Sequence, residues 1–248
     1  MNDRTTQPPA PATPFGPLAA APGEGRRATP AGTTGFEARH ASDLVADFYR
    51  EGPAGVRLSS IGIGTYLGED TDADDERYAA AIRAAVDGGI NVVDTAINYR
   101  CQRSERAAGR AIQLLLARDG AVARDQLVIA TKGGYVPLDG SPPATPEGYQ
   151  GYLRREFFAR RLLTPAELVG GGHSLAPAFL ADCIRRSRQN LGLETIDLYY
   201  VHNPEQQLPS VPYEELLQRL RAAFALLEEK VSAGEIGSYG VATWNGLR

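Results

Sequence analysis

The 248-residue chain has little sulfur and few histidines: two cysteines, Cys101 and Cys183, one methionine and three histidines. Two thiols cannot build a disulfide framework or a thiolate metal cluster, and they fit a reducing compartment, so a cytoplasmic location is expected. His40, His173 and His202 are far apart in the chain and lack metal-ligand spacing, so no metal site is expected. No apolar run approaches the roughly 18 residues of a membrane span. A basic surplus is missing too: 26 Lys and Arg stand against 30 Asp and Glu, for a net charge of −4. That argues against a nucleic-acid partner. In so acidic a chain, Arg154, Arg155, Arg160 and Arg161, interleaved with Phe157 and Phe158, read as an amphipathic lid helix.

What is present is ordinary for a globular domain: 43% apolar and 23% charged residues. The N-terminus resembles no secretory signal. Pro8, Pro9, Pro11, Pro14, Pro17, Pro22 and Pro30 interrupt it, so residues 1–46 are expected to be a disordered Pro/Ala-rich tail. FYREGPAGVRLS then reads as a hairpin. From there short apolar runs at Ser60–Thr65, Ile90–Asp94, Leu127–Lys132, Ile196–His202 and Ile236–Thr243 alternate with helical stretches. Asp74–Asp87 opens on acids and ends at paired glycines. Ser104–Arg118 puts Ala108, Ile112 and Leu115 on one face. Pro177–Leu191 and Pro212–Ser232 begin with proline and end before glycine. This alternation means parallel strands joined by crossover helices. The domain is expected to occupy residues 47–248, with a long Pro- and Gly-rich insertion at 133–174 at the strand end where barrel sites lie, a candidate substrate cover. Periodicity alone leaves two architectures open, a doubly wound sheet and an eight-stranded barrel.

GIGTYLG begins like a dinucleotide fingerprint, but Leu67 occupies its third glycine position, which argues against a Rossmann site. The polar residues at strand C-termini say more. Asp94 ends INVVD, Tyr99 follows in DTAINY, Lys132 ends LVIATK and His202 ends IDLYYVH. Parallel strands project all four from one end of the sheet. A carbonyl that receives hydride becomes an alkoxide and needs a proton. Tyrosine can supply it, a neighbouring lysine is expected to lower the phenol's pKa, and an aspartate can hold the lysine. A neutral histidine can orient the carbonyl oxygen. None of these groups stores hydride, which implies a nicotinamide cofactor. Asp197 lies at the opposite end of its strand and reads as packing, and Cys101 as a bystander thiol.

The segments IGIGTYLGE, GGINVVDTAINYRCQRSERAAGRAI, LVIATKGGY, RQNLGLETIDLYYVHNPE and GEIGSYGVATWN strongly resemble the aldo-keto reductase superfamily. The resemblance runs from about Asp47 to Arg248. It implies a (β/α)8 barrel binding NADPH at its C-terminal face without a Rossmann fold. It puts the family's tetrad on Asp94, Tyr99, Lys132 and His202, with Tyr99 as proton donor. Gly64, Thr65 and Tyr66 match the element beside the cofactor, to which Asp94 is also adjacent. The implied partner is a small carbonyl or alcohol substrate.

The sequence departs from the family pattern in two places. The family's fifth strand usually ends G-V-S-N-F, with Ser and Asn on the nicotinamide amide. Here GVATW leaves Thr243, with Asn245 just beyond, as candidate amide contacts, and Trp244 as a ring that either stacks or packs. The sequence also stops at Arg248, past the fifth expected strand. It is therefore expected to be a fragment of a longer reductase, or a short form that is inactive or needs a partner. A reductase-like binding or regulatory subunit is the alternative function.

Overall fold

The computed structural model describes residues 26–118 and 122–246. Five strands form a parallel sheet: β3 (Ile63–Gly64), β4 (Val92–Asp94), β5 (Val128–Gly133), β6 (Ile196–His202) and β7 (Ile236–Ala242), paired in that order. Between them run α2 (Asp72–Asp87), α3 (Arg103–Leu116), α5 (Pro177–Leu191) and α6 (Tyr213–Ser232). Each strand pairs with the next in sequence, and the order never reverses. A doubly wound sheet requires a reversal at its switch point. Successive same-handed crossovers instead bring every helix to one face, which is the barrel arrangement. The helices duly pack in file, α2 on α3, α3 on α5 and α5 on α6.

The local reasons are ordinary. The Thr71 side chain caps α2 by accepting the Asp74 N–H, and three acids in the first turn face the positive end of the helix dipole. α5 starts at Pro177 and stops at Gly192, whose φ of +66° suits glycine. The main core lies between sheet and helices, where Ile82, Ile112, Leu115, Ile129, Ile184, Leu191 and Ile196 are fully buried.

The hairpin forms as expected, with β1 (Tyr49–Glu51) antiparallel to β2 (Arg57–Ser59). The disordered tail requires correction. Residues 1–25 lie outside the described residues, but Pro30–His40 is a helix, α1. The Thr29 hydroxyl caps it by accepting the Gly32 N–H, and Pro30 takes the first-turn position where proline is well tolerated. Phe36 anchors α1 in the core at zero exposure. The Ala28 N–H donates to Asp197 Oδ1 at 2.6 Å, and the Arg57 N–H to the Thr33 hydroxyl at 2.9 Å. α1 and the hairpin thus cover the N-terminal ends of the strands. Asp197 also accepts the Ile129 N–H and pairs with Arg124 at 2.6 Å, the packing role expected of it.

The 133–174 insertion contains α4 (Pro146–Leu153), continued by a wide turn over Arg154–Phe158. Leu153 and Phe157 are buried against Phe179 and Leu180 of α5, with Ile97 in the same cluster. The segment is amphipathic, as its composition suggests.

Candidate active site

β4, β5 and β6 deliver Asp94, Lys132 and His202 to the same end of the sheet, and Tyr99 starts a short helical turn after β4. Lys132 is the hub. Its Nζ donates to Asp94 Oδ2 at 2.6 Å, to the Thr95 carbonyl oxygen at 2.8 Å and to the Tyr99 hydroxyl at 3.4 Å. The lysine side chain is 9% exposed and that of Asp94 is 40% exposed, so this ion pair sits at a rim. The Tyr99 and His202 rings meet edge to face, with centroids 5.7 Å apart.

The turn that carries Tyr99 is strained and is held by its contacts. Arg100, Cys101 and Gln102 are three consecutive non-glycine residues with positive φ, at 48°, 52° and 68°. Such residues each cost about 1–3 kcal/mol and persist only where their surroundings determine them. Here the Arg100 guanidinium donates to the Glu69 and Thr71 carbonyls and to Asp75, and Gln102 Nε2 donates to the Leu138 carbonyl. The Cys101 carbonyl accepts the Gly140 N–H.

Electrostatics correct one expectation. Burial pushes the Tyr99 phenol up to about 12, and the Asp94 carboxylate adds to the rise. The lowering expected from Lys132 does not offset burial and the Asp94 charge. Tyr99 is therefore fully protonated at neutral pH. Burial, then the charge of Lys132, lowers His202 to about 4, so its imidazole is neutral. Its Nδ1 is buried without a hydrogen-bond partner among the described residues. Burial and the neighbouring Asp70 carboxylate raise the Cys101 thiol to about 12, which leaves it a poor nucleophile.

The candidate cofactor residues divide. Gly64 pairs with Asp94 and has open space where a side chain would be. The buried Thr65 hydroxyl donates to the Thr95 hydroxyl at 2.8 Å, and the exposed Tyr66 ring packs edge to face on Tyr99 at 5.0 Å. The open space at Gly64 and the exposed Tyr66 ring make this part of the rim the candidate place for a nicotinamide. The end of β7 fits less well. The Thr243 hydroxyl accepts the Gly246 N–H at 2.7 Å and bonds to Glu205, whose Oε1 also accepts the N–H groups of Trp244 and Asn245. Trp244 is 77% exposed.

The sequence reading missed two neighbours of His202. Tyr135 stacks edge to face on both His202 and His173, at 5.0 and 4.9 Å. His173 contacts the end of β6 although it is 29 residues away in the chain. Both come from the insertion, where no periodic pattern marks which residues turn inward.

A consecutive parallel sheet with helices on one face, bearing Asp94, Tyr99, Lys132 and His202 at its C-terminal end, defines a protein of the α/β barrel class. Residues 60–247 match the Aldo/keto reductase family, and the chain belongs to that family of oxidoreductases. It is 30% identical over 191 residues to D-threo-aldose 1-dehydrogenase of Pseudomonas sp., covering 76% of this chain and 51% of that one. It is 29% identical over 194 residues to aldo-keto reductase YhdN of Bacillus subtilis, covering 77% and 45%. The chain thus spans about half the length of these curated relatives. A Klebsiella pneumoniae aldo-keto reductase solved in complex with NADPH has the same fold, with a TM-score of 0.50 at 20% identity over 82% of this chain and 52% of that one.

Proposed function

We propose that the chain carries the proton-donating site of an NADP(H)-dependent carbonyl reductase, reversibly interconverting an aldehyde or ketone with its alcohol. The observation that carries this reading is Lys132 Nζ lying between Asp94 and the Tyr99 hydroxyl at one strand end. The bound nicotinamide would supply the hydride to the carbonyl carbon. Tyr99, Gly64, Thr65, Tyr66 and Asp94 would border it. The Tyr99 hydroxyl holds its proton at neutral pH and gives it up only to an oxygen as basic as a forming alkoxide. Lys132 then stabilises the tyrosinate left behind, and Asp94 holds Lys132 in place. Neutral His202 orients the carbonyl oxygen without adding a second charge. For the reverse oxidation the same groups act in the opposite order.

Tyr99→Phe tests this directly. With NADPH and DL-glyceraldehyde as the probe aldehyde, the variant is expected to lose turnover by about 10²–10⁴-fold, the usual worth of a general acid. NADPH binding, followed by its fluorescence, should stay unchanged. Undiminished turnover in the variant overturns the assignment.

The engagement of Thr243 by Glu205 and Gly246 favours a second reading, a reductase-like subunit that binds a partner and turns over little. The same titration separates the two. Saturable NADPH binding with turnover supports the enzyme, and saturable binding without turnover supports the subunit.

A further inference from the structure

We propose that His173 is a positioning residue for His202, through which the 133–174 insertion sets the geometry of the site. Its kinetic consequence rests on the proposed role of His202, but its structural basis does not. His173 Nε2 lies 2.8 Å from the His202 carbonyl oxygen, and His173 is 3% exposed. That carbonyl ends β6, and the next residue, Asn203, turns away with a φ of +45°. A buried terminal carbonyl needs a donor, and His173 provides it.

The tautomer that makes this possible is specified by a chain of groups. Arg219 Nη1 donates to Gln207 Oε1 at 2.5 Å, which fixes the amide orientation. Gln207 Nε2 therefore faces His173 Nδ1, at 2.8 Å, as a donor. Nδ1 must accept, so the ring proton resides on Nε2, pointing at the His202 carbonyl. Gln207 is fully buried, and Glu215 in turn holds Arg219 at 2.6 Å. Tyr135 wedges its ring against both imidazoles, and the Asn203 amide donates to its hydroxyl at 3.3 Å. Gly134 lets the two limbs approach: its φ is +143°, and a Cβ there would fall 3.0 Å from both His173 Nε2 and the His202 carbonyl oxygen. The other limb of the insertion bonds to the turn after Tyr99 through Leu138 and Gly140. The insertion thus grips the backbone beside both Tyr99 and His202.

With only three histidines in the chain, ring ¹⁵N and ¹³C NMR spectra can be assigned by single substitution. The wild-type spectrum is expected to show His173 as the neutral Nε2–H tautomer. His173→Leu should shift the His202 ring signals, and His173→Gln, which retains a donor near the Nε2 position, should bring them back. Gln207→Leu is a second variant that leaves His173 in place and should mix its tautomers. In turnover of DL-glyceraldehyde, His173→Leu is expected to lower kcat about tenfold or more, with little change in KM for NADPH, and His173→Gln to recover most of it. Unmoved His202 signals in a folded His173→Leu chain, or a wild-type His173 protonated on Nδ1, overturn the proposal. Absent wild-type turnover with the predicted spectra overturns the carbonyl-reduction reading and leaves the positioning role standing.

Discussion

His202 ties the chemistry of the site to its stability. Its imidazole titrates near 6.5 in an unfolded chain and at about 4 in the folded one, because the site is buried and Lys132 is nearby. Between those values the unfolded chain binds a proton that the folded chain refuses. Folding stability therefore declines as pH falls from about 6.5 to about 4, and below that the whole difference, about 3 kcal/mol, is gone. Burial lowers His173 as well, so it acts in the same direction. A His202→Gln chain cannot charge at this position. Its melting temperature is expected to fall less steeply between pH 7.5 and 4.5 than that of the wild type, as followed by circular dichroism. Parallel slopes would show that His202 takes up its proton in the folded chain as readily as in the unfolded one. Tyr99 shows a limit of reading single residues. Its position beside a lysine was legible from strand ends, yet the direction of its pKa was not, because burial and the aspartate are properties of the assembled rim.

At the scale of elements, β6 and α5 match the sequence pattern to the residue, since a long apolar run and a helix between proline and glycine carry their own boundaries. β3, by contrast, holds two residues where six were expected, pairing with β4 only at Ile63 and Gly64. The insertion left no such signature, and the inward turn of Tyr135 and His173 depends on contacts far away in sequence. Glu105 is a further case. It sits on α3, fully buried, where a helix pattern alone would count it as one more surface acid. Its Oε1 accepts the Thr131 hydroxyl of β5 at 2.7 Å, and its Oε2 the Asn190 amide of α5 at 2.8 Å. It joins three elements, and burial raises its pKa. Glu105→Gln can still accept from Asn190 and donate to Thr131, so it is expected to cost less than about 1 kcal/mol. Glu105→Leu leaves the buried Thr131 hydroxyl without its acceptor, at about 1–3 kcal/mol, and leaves the half-buried Asn190 amide with Gln102 alone. Urea denaturation of the two variants measures the difference, and equal midpoints would show that the carboxyl group does not join these elements.

At the scale of the whole molecule, the question is where the folded unit begins. Proline content suggested residue 47, but the contacts start at least as early as Ala28. Asp197, buried at the start of β6, divides its hydrogen bonds between Arg124, the Ile129 N–H and the Ala28 N–H, so the segment before α1 completes the coordination of a buried charge. α1 adds Phe36 to the core and a hydroxyl to the backbone of β2. Removing residues 1–46 would expose the core around Phe36 and forfeit its burial, worth about 1.5–3 kcal/mol. It would also take one donor from a buried carboxylate, at about 1.5–3 kcal/mol. Together these come to about 3–6 kcal/mol, a large share of the roughly 5–15 kcal/mol that typically holds a domain folded. The shortened chain is expected to unfold several kcal/mol more easily in urea, and Phe36→Ala in the full chain should lose about 3–5 kcal/mol by cavity formation. The candidate site lies at the opposite end of the strands, so any folded Phe36→Ala protein should keep the His173 and His202 signals of the wild type, while those of His40, whose ring centroid lies 4.7 Å from that of Phe36, should shift. A shortened chain as stable as the parent would move the boundary back to residue 47 and reduce α1 to an ornament of the surface.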